Sequence, residues 1–186
     1  MEADILVRRW IADVIGRRSD LVAIAMRQRA KFEGWLKFEL AAYAQLKGAA
    51  EVTVEAATDD SSGSRRDLTF YYRGEKCNVE LKTCNTNWRM PGVLDRTRPI
   101  TKNVAGIIED ARKLQKCVGH GVVAACIFPV ERGDRRWKEY LKRIGEEAGV
   151  HLSEKGHTTR VPLDIDDHCS ADVVVVSFLT AKAGLA

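Results

Sequence analysis

Asp67, Glu80 and Lys82 are the residues of this chain whose types and spacing fit a reaction. They lie in RRDLTFYYRGEKCNVELKT, residues 65–83, where two runs rich in Tyr, Phe, Thr and Val flank Arg73-Gly74-Glu75. That is the pattern of a β-hairpin with a tight turn. Residues two apart on a strand share a face, so Glu80 and Lys82 point one way and Val79 and Leu81 the other. With Arg73-Gly74 as the loop, Asp67 sits opposite Glu80. With Gly74-Glu75 as the loop, it sits opposite Lys82 and diagonal to Glu80. Either register brings all three onto one face, with Cβ atoms roughly 5–8 Å apart; a three-residue loop breaks the arrangement. Two carboxylates that close stay ionised together only beside a cation. Mg²⁺ suits them, because it takes oxygen ligands and is commonly held by one or two carboxylates plus substrate phosphates. A lysine alongside would lower the pKa of a water, position it, or steady charge developing at phosphorus. The same spacing also fits an ordinary cross-strand salt bridge of Glu80 with Lys76 or Lys82.

In this hairpin setting, Asp67 with Glu80-Leu81-Lys82 resembles the PD-(D/E)XK nuclease superfamily, in which an Asp begins one strand and a Glu-x-Lys triplet ends the next. Arg66 stands where the motif's Pro would be. The resemblance implies a restriction-endonuclease-like fold: an α-β-β-β-α-β core whose mixed central sheet is flanked by helices. It also implies metal-dependent hydrolysis of phosphodiester bonds, most naturally in DNA. Asp67 and Glu80 would bind Mg²⁺ or Mn²⁺, Lys82 would activate or orient the attacking water, and a glutamate on the first core helix would join them.

The elements that must position these residues can be read from periodicity. Residues 4–15 place Leu6, Trp10 and Val14, then Val7, Ile11 and Ile15, at helical spacing, predicting an extra N-terminal helix. A second helix is predicted from about Asp20 to Lys47 with a weak point at Gly34. Its later apolar stripe is Phe32, Trp35, Leu36, Leu40, Tyr43 and Leu46. Glu39 falls inside that stripe, Glu33 on its edge and Lys37 outside it. A carboxylate on a buried face needs compensation, which makes Glu39 the candidate to reach the site and Glu33 the reserve. A strand follows over 52–57, then a turn-rich loop over 58–64 in which Asp59 and Asp60 read as solvated.

Residues 84–102 show no periodicity and carry Arg89, Arg96, Arg98 and Lys102 against only Asp95. A long loop leaving the strand just after Lys82 must emerge at the site. Its cations, with Arg65 and Arg66, suit phosphate contacts, and Trp88 suits stacking on a base or wedging into a duplex. Trp88 equally suits pinning the loop to the core. Residues 103–117 predict an amphipathic helix with Val104, Ile107, Ile108, Ala111 and Leu114 on one face; Glu109, Asp110, Arg112, Lys113 and Lys116 fall on the other. GVVAACIFPV, 121–130, reads as a strand covered on both faces, so the element order of the core is recovered over about 20–130. Residues 131–186 read as a C-terminal elaboration: a helix from Asp134 through Ala148, polar irregular chain over 150–170, and a strand over 172–179.

Length and composition bound the rest. At 186 residues the chain fits one domain, 1–186. No run is long enough to span a bilayer, so no membrane partner is expected. Five cysteines with no CxxC pair argue against a disulfide framework and for a reducing cytoplasm. A net charge of +4 permits a polyanionic partner. Cys117 with His120, and His168 with Cys169, lack the second pair a zinc finger requires. Asp164, Asp166 and Asp167 lack the glycine and distal glutamate of a calcium loop. The expectation is therefore a DNA endonuclease, with exposed apolar residues of the first helix available to a homodimer. Its alternatives are an inactive nucleic-acid-binding or assembly module on the same fold, and an unrelated α/β protein with a surface ion network.

Overall fold

Three helices open the chain in the computed structural model, which describes residues 2–58, 65–95 and 100–181. They are α1 (Ala3–Arg17), α2 (Ser19–Gln28) and α3 (Glu33–Leu46). Strands β1 (Ala50–Ala57), β2 (Arg65–Tyr72) and β3 (Glu75–Asn85) follow, then α4 (Ile100–Leu114) and β4 (His120–Glu131). The chain ends with α5 (Trp137–Ala148), the short α6 (Glu154–His157), β5 (Thr158–Asp166) and β6 (Cys169–Leu179). All the described strands form one mixed sheet in the order β1-β2-β3-β4-β6-β5, so the chain is an α/β protein. β3 and β4 run parallel and the other neighbours antiparallel. A parallel pair needs a crossover, and α4 supplies it.

The sheet divides the core in two. Under one face lie α1, α2 and α3, with Val7, Ile11, Leu36 and Leu40 packed against Phe70, Leu81 and Val122. Over the other lie α4 and α5, with Val104, Ile107, Trp137 and Ile144 on Val123, Ile127 and Val174. β4 is buried from Gly121 to Val130, as expected of a strand covered on both faces. No helix among the described residues is long and apolar enough to cross a membrane.

Three expectations change. The long helix of 20–47 is two helices, broken at Arg29–Phe32 and not at Gly34, which lies within α3. Arg29 takes a left-handed φ of 48°, a conformation disfavoured for a side chain bearing Cβ. It turns its guanidinium into the core, where it is fully buried. There it donates to the carbonyl of Leu94 at 2.7 Å and to those of Thr86 and Trp88. Next, only 150–153 of the segment 150–170 are irregular: after α6, β5 alternates buried Val161, Leu163 and Ile165 with exposed Pro162 and Asp164, and an edge position tolerates Pro162. Lastly, both apolar rows of α1 are buried, including Leu6, Trp10, Ile11 and Ile15. That removes the surface on which a homodimer was expected.

Candidate functional site at the gap between β2 and β3

The hairpin pairs Tyr72 with Glu75 and Leu68 with Val79, which makes Arg73-Gly74 the two-residue loop. Both loop residues have positive φ, 53° and 81°, as a turn matching the strand twist requires. Asp67 therefore comes level with Glu80, and there the ladder stops. β3 continues to Asn85 beside β4 on its other edge, so its edge toward β2 is left open. A buried backbone N–H needs an acceptor. Two carboxylates provide it. Leu81 N–H donates to Asp67 Oδ2 at 2.8 Å, and Thr83 N–H donates to Glu33 Oε2 at 2.9 Å.

Cations and a further acid close around this gap. Glu33 and Lys37 are one helical turn apart on α3 and share a face; Lys37 Nζ lies 2.9 Å from Asp67 Oδ1 and 3.2 Å from Glu55 Oε1. From the opposite side of the sheet, Arg66 Nη1 lies 3.3 Å from Glu80 Oε1. Lys82 Nζ lies 2.9 Å from Asp110 Oδ2 of α4. Glu80 and Asp110 are only 6% and 5% exposed.

The electrostatics follow from this crowding. Burial first, then the Asp67 and Asp110 carboxylates, push the Glu80 carboxyl up to about 7, with Arg66 pulling only partly the other way. Burial opposes the charge on Lys82, but Asp110, with Glu33 and Asp67, outweighs it and raises the ammonium above its ordinary pKa. Lys37 is raised in the same way by Asp67 and Glu55 against its burial. Lys82 is thus a held cation, fitted to orient a water or offset phosphoryl charge rather than to take up a proton. Four acids (Glu33, Asp67, Glu80, Asp110) meet four bases (Lys37, Arg66, Lys82 and Lys113, whose Nζ lies 3.4 Å from Asp110 Oδ1), so the acids are crowded together but matched in number by cations.

The sequence-predicted residues divide accordingly. Asp67, Glu80 and Lys82 gather at the gap. Glu39 does not: it sits 3.8 Å from Arg18 on a half-exposed part of α3, because the buried face of α3 is centred on Leu36, Lys37, Leu40, Ala41 and Ala44, away from Trp35 and Leu46. Glu33, the reserve, reaches the site instead. Arg66 is buried against Glu80 and leaves the rim. Arg65 and Arg89 are exposed beside Glu55 at 3.6 Å and Asp95 at 3.4 Å, and Lys102 is exposed on α4. Arg96 and Arg98 lie outside the described residues, as do Asp59 and Asp60. Trp88 is not presented to a base. Its ring is buried, stacks on Tyr140 with centroids 6.1 Å apart, and lies under the Arg136 guanidinium at 4.3 Å.

Asp110 and Lys37 escaped the sequence reading, which placed both on solvated faces. Asp110 does stand only about 40° around α4 from Leu114, at 100° per residue. Gly106, one turn earlier, leaves room for Lys82, whose Cε would be 3.6 Å from a Cβ there. An acid and a glycine at i, i+4 beside an apolar stripe were the available signal.

Among the described residues, no group of three or more His, Cys, Asp or Glu is disposed as a ready metal cage. The donor set nevertheless fits a hard cation that needs only one or two carboxylates. Asp67 and Glu80 are adjacent, Glu80 buried and Asp67 half-buried, and each already carries one cation, Lys37 and Arg66. Compared with family models, curated proteins and solved structures, the chain finds no match in any of the three.

Proposed function

We propose that this protein is a metal-dependent endonuclease-type phosphodiesterase acting on DNA, on a core of the restriction-endonuclease kind. The observation that carries the reading is the meeting of Asp67, Glu80 and Lys82 where β2 leaves β3, with the Glu80 carboxyl pushed up to about 7 by its burial and by the carboxylates beside it. The order α3-β1-β2-β3-α4-β4 supports it, being the α-β-β-β-α-β sequence of that core. Asp67 and Glu80 would hold Mg²⁺ or Mn²⁺, which would supply Lewis-acid stabilisation of the scissile phosphate and a more acidic water. Lys82, fixed by Asp110, orients the nucleophile and offsets charge on the phosphoryl oxygens. Glu33 takes the role first given to Glu39, fixing the open end of β3 beside Lys82. We assign the protein to the cytoplasm.

A second reading, an inactive nucleic-acid-binding or assembly module, is favoured by one feature: Asp67 already has Lys37 on one oxygen and Leu81 N–H on the other. Plasmid relaxation with Mg²⁺ or Mn²⁺ separates the two. The nuclease nicks supercoiled DNA, and Glu80→Ala and Lys82→Ala each lose about 100-fold or more. Glu39→Ala retains activity. Binding without cleavage at any metal concentration selects the module.

A further inference from the structure

The α4 side of the hairpin carries a cleft of about 290 Å³ beside the acidic gap but outside it. Thr69 and Asn78, cross-strand partners on β2 and β3, form its floor, and Arg66, Lys76 and Lys116 line it. None of its lining residues, among those described, is acidic, although Asp and Glu number 26 in the chain. Lys116 is exposed and makes no ion pair with a described residue.

The cleft is preformed on both sides. Asn78 Nδ2 donates to Val118 O at 2.9 Å and to His120 O at 3.3 Å, tying the turn after α4 onto β3. Gly119, with φ of 89°, lets that turn rest on the strand, since a Cβ there would stand 2.4 Å from Lys76 O. The C-terminal end of α4 brings roughly half a negative charge, which opposes an anion. Lys116, with Lys76 and the Arg66 guanidinium whose charge is shared with Glu80, offsets it, and Arg66 and Asn78 already occupy the carbonyls of Lys113 and Val118. Ala56, Ala57, Thr58, Cys117 and Val118 line the rest, with no aromatic ring among the described lining residues to hold a base. A nucleotide pocket would supply an apolar slot for the base; a row of cations and small polar groups suits a sugar–phosphate chain. Arg66 joins the two sites, with one nitrogen on Glu80 and its side chain on the cleft wall.

We propose that this cleft binds a phosphate of the nucleic-acid strand flanking the one presented to Asp67 and Glu80. The outer face of β1–β2–β3 and the end of α4 then form the track of the substrate backbone. The inference rests on the phosphodiesterase reading above, but its test does not require turnover. Binding of a fluorescent 20-base-pair duplex is measured by anisotropy in EDTA over a salt series. Lys116→Gln and Lys76→Gln should each weaken binding several-fold near 0.1 M salt and lower the log–log salt slope by about 0.9. Lys142→Gln, on the far surface of α5, should leave both unchanged. Wild-type binding whose slope is the same in all three variants overturns the cleft and leaves the nuclease reading standing. No duplex binding by the wild type also overturns it. The expected slopes, together with an intact plasmid under Mg²⁺, uphold the cleft and overturn the hydrolytic reading.

Discussion

Two buried ionic regions lie within a few residues of each other along β3 and its outgoing loop, and they are built on opposite principles. Arg29 is one cation surrounded by neutral acceptors, three main-chain carbonyls of the segment 86–94. Burial holds its guanidinium below its ordinary pKa, with Asp95 only partly restoring it. The gap between β2 and β3 instead collects four acids and four bases, and one of its two buried carboxylates, Glu80, is held up to about 7 largely by burial and by other carboxylates. A charge that serves only to fasten a loop is matched by dipoles and has no charged neighbour to repel. Like charges gathered in one pocket cost stability, and on the reading proposed above that cost is retained to receive a divalent cation.

The largest expected effect breaks the first region. Arg29→Met leaves three buried carbonyls without a donor and should lower stability by about 3–5 kcal/mol in urea unfolding. A loss under about 1 kcal/mol would mean that the loop holds itself.

The second region should respond to pH in the reverse sense to an ordinary salt-bridged acid. The Glu80 pKa is raised from 4.5 to about 7 in the folded state, so between those values the native protein holds a proton that the unfolded chain has released. Its stabilising contribution is complete below pH 4.5 and is lost as pH rises through about 7, amounting to roughly 3 kcal/mol at 1.36 kcal/mol per pH unit. Urea unfolding in EDTA at pH 5 and 8 measures it. Glu80→Gln should remove that slope while leaving the protein folded, the opposite of Arg29→Met.

Divalent cation sharpens the contrast. At ten times its dissociation constant, Mg²⁺ should stabilise the protein by about 1.4 kcal/mol. The thermal shift should be large at pH 8, small at pH 5 and absent in Glu80→Gln. Equal shifts in the wild type and Glu80→Gln would locate the cation elsewhere.

The smallest difference lies along α3. Glu33→Ala uncovers the buried N–H of Thr83 and should cost about 1–2 kcal/mol, whereas Glu39→Ala, removing a surface pair with Arg18, should stay within about 0.5 kcal/mol. Matched thermal melts of the two variants test which glutamate faces the gap.

Much of this was legible in the sequence for a local reason. The Tyr- and Thr-rich runs around Arg73-Gly74 specified a hairpin, and the alternation of Glu80, Leu81 and Lys82 specified their faces. The run from Gly121 to Val130 announced a strand with two covers. Where reading went astray, a distant partner had overridden local pattern. No glycine or proline marks the break at Arg29; it exists because carbonyls some 60 positions later accept that guanidinium. Trp88 beside Arg89 suited a base-stacking loop, yet Tyr140 and Arg136, from beyond β4, enclose it.

From sequence alone came the hairpin, the shared face of Glu80 and Lys82, and the approach of Asp67 to them, because a two-residue period and a tight turn are properties of neighbouring residues. Tertiary structure alone decided that β2 would pair with β3 only from Leu68 onward, that Glu33 rather than Glu39 would cover the exposed edge, and that Asp110 would meet Lys82. Those outcomes depend on which helix packs over which strand, and packing between elements far apart in the chain leaves no period to read.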